Sequence, residues 1–90
     1  MDRTYTVTLV READGGYSVH VPALKGCHTQ GETVAEALFM AQDAIEGYLA
    51  VLLEDGDPIP EDSPRVILDV GETAEALVYK VRTREAALVA

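Results

Sequence analysis

Asp14-Gly15-Gly16-Tyr17, then Val21-Pro22-Ala23-Leu24-Lys25-Gly26-Cys27, then Thr29-Gln30-Gly31-Glu32-Thr33 punctuate the stretch from Tyr5 to Pro60, and their order decides the fold. Before the first of them, Tyr5, Val7 and Leu9 alternate with Thr6 and Thr8, which is the period of a half-buried strand. The alternation predicts an apolar face turned to the core and a threonine face turned to water. After the glycine pair, Tyr17, Val19 and Val21 alternate with Ser18 and His20, giving a hairpin with six large apolar side chains on its inner face. Pro22 removes a ladder donor and Gly26 permits a bend, so a short third strand is expected near Cys27 to Gln30.

A single long helix follows. Thr33 and Glu36 stand at the spacing of a capping box, in which the threonine hydroxyl accepts a free helix N–H and the glutamate reaches back to the cap's own N–H. Val34, Ala37, Leu38, Ala41, Ala44, Ile45, Tyr48, Leu49 and Leu52 then recur at three and four, forming one buried stripe. Glu36, Asp43, Glu46 and Glu54 fall mostly off that stripe, toward solvent or a partner. Gly56 supplies a C-terminal stop and Pro58 and Pro60 prevent resumption, which sets the helix at about 22 residues, roughly 33 Å. Beyond Pro64, the alternation of Val66, Leu68 and Val70 predicts a fourth strand, and Leu77 to Arg82 is β-rich. The fold class is therefore α+β: a three-stranded antiparallel sheet, one long helix and further C-terminal strand sequence.

Ninety residues make one domain, with its core at 4–62 and a C-terminal strand extension at 65–90. A core of this size leaves modest stability, for which a second subunit is a natural supplement. Sixteen acidic against seven basic residues give a formal charge of −9, which repels a phosphate backbone and favours basic protein partners. The single cysteine, Cys27, allows no internal disulfide, the amino terminus has no apolar leader, and no apolar run approaches a membrane span. The expected setting is cytoplasmic.

Candidate chemistry is sparse. Cys27 and His28 are strand neighbours pointing to opposite faces, so they do not converge on one metal ion, and no nucleophile stands beside a base. The sequence thus indicates no cofactor, no metal and no catalytic residue. The acids could in principle build a two-metal nuclease site around Asp69, but Glu12 and Asp14 sit at a hairpin end and Glu36 is explained by capping. Lys80, Arg82 and Arg84 alternate as a basic row that suits a protected sheet edge better than a DNA-reading ribbon. The exposed acids Asp14, Glu32, Asp43, Glu46 and Glu54 are the candidates for contact with a basic partner.

These marks together resemble the HicB antitoxin family. The resemblance covers about residues 4 to 60 and is carried by Tyr5-Thr6-Val7, Gly15-Gly16-Tyr17, Val21-Pro22-Ala23-Leu24, Gly26-Cys27, Thr29-Gln30-Gly31-Glu32-Thr33, Glu36-Ala37, Ala44-Ile45 and Gly56. It implies a partial ribonuclease H fold without catalysis that forms a homodimer or higher oligomer. It also implies a partner, a small basic RNA-cleaving toxin of the HicA type, neutralised by covering its active surface. Lys25 departs from the proline the family commonly has, and the 26 residues after Pro64 are too few for the C-terminal DNA-binding domain of longer members, so direct DNA binding is not expected. Two other readings stay open: a solitary interaction or ligand-binding module without a toxin, and a residual metal-dependent nuclease.

Overall fold

In the computed structural model, residues 3–63 and 76–84 are described. They form β1 (Thr4–Arg11), β2 (Tyr17–His20), β3 (His28–Gly31), α1 (Val34–Asp55) and β4 (Ala76–Arg82). The sheet is antiparallel in the order β3-β2-β1-β4. The β-rich Leu77 to Arg82 is thus the fourth strand and lies beside β1; the strand expected over 66–70 lies outside the described residues, as does Asp69.

The inner face is built from the alternation that the sequence displays. In-register pairs Leu9↔Val19, Val7↔Tyr79 and Tyr5↔Val81 place these side chains on one side of the sheet. Tyr5, Val7, Leu9, Val19 and Val21 are buried there, with Tyr17 half-buried at the rim. Against them α1 lays Ala37, Ala41, Ile45 and Leu49, all fully buried, flanked by half-buried Val34, Leu38, Ala44, Tyr48 and Leu52. The fully buried residues of the first two turns, Ala37 and Ala41, are small, which lets the helix approach β3 closely.

Both helix ends are closed. Thr33 has extended backbone and its Oγ1 accepts the Glu36 N–H at 3.1 Å. Glu36 reaches one residue further back than a regular capping box, accepting the Glu32 N–H at 3.2 Å. It thereby secures the turn leaving β3 as well as the helix start. At the other end Gly56 takes φ 72°, and the Asp57 and Gly56 N–H groups donate to Leu52 and Leu53 oxygens, a Schellman-type stop. The loop joining β2 to β3 holds itself through Leu24 N–H to Val21 O, Cys27 N–H to Leu24 O and Val21 N–H to Cys27 O, and Tyr48 of α1 donates its hydroxyl to Lys25 O.

The threonine face of β1 departs from expectation: Thr6 and Thr8 are 2% and 1% exposed. Strand β2 pairs with β1 only from Thr8 onward, and beyond it the chain after α1 returns as a strap that substitutes for a strand. Tyr5 donates its hydroxyl to Pro60 O at 2.6 Å, while Asp62 accepts the Thr6 N–H at 2.7 Å and the Thr6 hydroxyl at 2.8 Å. Lys80 Nζ completes the group, 2.8 Å from Asp62 and 2.6 Å from Thr6 Oγ1. A sequence pattern shows the alternation of a strand but not a remote carboxylate that seals its polar side.

Burial opposes ionisation of Asp62, but the bonds from Lys80 and Thr6 outweigh it and hold the carboxyl below its ordinary value. Glu46 is also held low, first by its hydrogen bonds to Arg84, against the opposing effect of burial. Both groups therefore add stability that is complete above the ordinary carboxylate range and is lost as pH falls through their lowered values. The urea midpoint of the chain is expected to fall on acidification below about pH 5. A double variant, Asp62→Asn with Glu46→Gln, starts less stable and shows a shallower acid slope; equal slopes would show that these carboxyls do not set it.

Candidate functional site

The hairpin that turns at Gly15-Gly16 and the entrance to α1 meet around a polar cleft of about 570 Å³. Four carboxylates line it, Glu12 and Asp14 from the hairpin and Glu32 and Glu36 from the β3–α1 junction, with Tyr17, Ser18, Gln30 and Met40 between them. Register explains the meeting. Tyr17 pairs with Gly31 and Ser18 with Gln30, so the end of the hairpin lies beside the last residues of β3. Gly16 takes φ 77°, and an added Cβ there would sit 3.2 Å from Gly31 O, so the two backbones converge without side chains between them.

Two of the four acids have internal work. Glu12 accepts the Ser18 hydroxyl, and Glu36 accepts the Glu32 N–H. The side chains of Asp14 and Glu32 stand at exposed positions. No described residue lining the cleft is basic, so its field is unopposed locally. A concave, uncompensated negative site of this kind suits a guanidinium or ammonium group presented by a partner protein.

The five acids singled out from the sequence do not act as one group. Asp14 and Glu32 share the cleft, with Glu12 and Glu36 added to them. Glu54 is exposed near the far end of α1, about 27 Å along the axis from Glu36 at 1.5 Å per residue. Asp43 is exposed, with Arg84 Nη2 3.7 Å away. Glu46 corrects the solvent-facing reading: it is 6% exposed, and its carboxylate accepts Arg84 Nε at 2.9 Å together with the Arg84 backbone N–H and Nη2. The later chain explains the difference: Thr83 stays bonded to Arg3 at the end of β4, and Arg84 beyond it closes over Glu46.

Arg84 also lies over the ring of Phe39, 5.7 Å from its centre, although Phe39 remains 56% exposed. Met40 forms part of the cleft wall. The basic row is split by these contacts: Lys80 is tied to Asp62, whereas Arg84 turns to Glu46. Among the described residues no three potential metal ligands converge. No helix in them is long and apolar enough to cross a membrane.

A four-stranded antiparallel sheet with one long helix packed across it, and a polar cleft where the hairpin meets the helix entrance, define a small α+β domain. The comparisons make the class specific: residues 5–82 match the family described as HicB-like antitoxin of bacterial toxin-antitoxin system, and the chain belongs to that family.

A UPF0150 protein of Thermoplasma acidophilum is 44% identical over 63 residues, 70% of this chain and 91% of that one. Antitoxin HicB of Escherichia coli K12 is 43% identical over 60 residues, 67% of this chain but 44% of the longer relative. Among solved structures, a chain of a toxin-antitoxin complex from Streptococcus pneumoniae shares the fold at TM-score 0.84 and 23% identity, over 100% of this chain and 74% of that one. The N-terminal domain of the Burkholderia pseudomallei antitoxin HicB aligns at TM-score 0.61 and 25% identity, over 88% of this chain and 95% of that domain.

Proposed function

We propose that the chain neutralises a small, basic, RNA-cleaving toxin of the HicA type by binding it in a stable complex, without catalysis of its own and as a homodimer or higher oligomer. The acidic cleft is the docking point: Asp14 and Glu32, reinforced by Glu12 and Glu36, receive arginine or lysine side chains that the toxin would otherwise use on RNA phosphates. The observation that carries this reading is the cleft itself, four carboxylates and no described cation, on a chain whose net charge is −9. Family membership supplies the class of partner. Cation-rich nucleases and acidic covers associate rapidly because long-range attraction raises encounter rates above those of neutral pairs. The setting consistent with an RNA-cleaving partner is the cytoplasm.

Co-expression with a small basic reading frame found adjacent to the gene tests the proposal. The neighbour alone is expected to arrest growth, and this chain to restore it while co-purifying with the neighbour. A toxic neighbour that is not relieved and not retained would overturn the reading; a harmless neighbour would direct attention to a solitary binding role.

A further inference from the structure

His20 ends β2 and His28 begins β3, and the two are directly paired across the ladder. Their side chains project to the sheet face opposite α1, where both are exposed, and the ring centres stand 6.2 Å apart at an interplanar angle of 46°. Among the described residues neither imidazole has a hydrogen-bond or ion-pair partner. Cys27, the other soft ligand, is buried and faces away, and burial pushes its thiol up, away from the thiolate a metal needs.

From this juxtaposition we infer that His20 and His28 form a two-point chelate for a borderline divalent cation, Zn²⁺, Ni²⁺ or Cu²⁺. Imidazole nitrogens bind such ions at about 2.0–2.1 Å, so two rings on one tetrahedral centre sit with their centres roughly 5 Å apart. The observed separation needs only a small torsional closure of two exposed side chains, while the paired backbone already sets the Cβ spacing. Water or another donor fills the remaining positions. The site joins the two ends of the Val21–Cys27 loop, so an ion held there closes that loop and adds stability only to the folded chain.

Titration of the untagged chain with Zn²⁺ and with Cu²⁺ tests the site, read by histidine ring NMR signals and by hydrogen exchange of the β2–β3 amides. Half-saturation in the parent chain is expected at an ion concentration at least tenfold lower than in His20→Gln or His28→Gln, with slower exchange at β2–β3 that a chelator reverses. Cys27→Ser and Glu32→Gln should titrate as the parent does. Equal responses in the parent and both histidine variants, binding that follows Glu32 instead, or no response at millimolar ion would each overturn the inference.

Discussion

Gly31→Ala is expected to remove most of the chain's stability, lowering the thermal midpoint by more than 10 °C if cooperative folding survives at all. A Cβ built on Gly31 lies 2.5 Å from Ala37 N and 2.6 Å from Ala37 Cα, backbone atoms of the first helical turn. Neither side can yield cheaply. Gly31 pairs with Tyr17 in the ladder, and the Ala37 N–H donates to Thr33 O at 2.8 Å in the capped start of α1. Relief requires lifting the whole helix from β3, where Ala37 and Ala41 pack without exposed surface. Overpacking of this kind costs about 3 kcal/mol or more, and each kcal/mol moves the midpoint of a domain this size by roughly 4–8 °C.

Gly47→Ala is the informative control. Gly47 is an exposed helical glycine with nothing near its missing Cβ, so alanine there should stabilise by about 0.5–1 kcal/mol through helix propensity and chain entropy. Circular dichroism melts of the two variants should therefore move in opposite directions. If the Gly31→Ala midpoint stays within a degree or two of the parent, the close seating of α1 on β3 is wrong.

The same site shows what the sequence could and could not convey. Periodicity and capping residues locate the helix at Val34–Asp55 and identify its buried stripe, because these are local signals repeated over many turns. The hairpin is equally legible from two alternating runs around Gly15-Gly16. Gly31, by contrast, reads from sequence as a turn residue and a family mark, while its decisive constraint is a contact with a residue on another element. Thr6 and Asp62 make the same point: a seal between residues 56 positions apart leaves no periodic trace. Glu46 reads from sequence as solvent-facing yet is buried, because helical spacing gives the angle of a side chain around the axis and not what later chain covers it. The cleft was half legible: Asp14 and Glu32 stand out as exposed acids, but the β2–β3 register that brings Glu12 and Glu36 to them is a tertiary fact.

That register makes the second large effect specific. Reversing the cleft with Asp14→Lys and Glu32→Lys should slow association with the basic toxin proposed above by about tenfold or more at low ionic strength. Each reversal changes the charge by two, so the pair takes the chain from −9 to −5. The matched control, Glu54→Lys with Asp55→Lys, makes the same change at the exposed end of α1, where added cations also suit the helix terminus. If overall charge alone steers the encounter, both variants slow equally; if the cleft receives the toxin's cations, only the first loses rate strongly and also dissociates faster. Raising salt separates the contributions, since screening at molar ionic strength cuts the range to about 3 Å and leaves chiefly the contacts made inside the cleft. Stopped-flow association across a salt series reads both quantities. Equal slowing by the two variants, with unchanged dissociation, would leave the family's mode of partner binding to another surface of this fold.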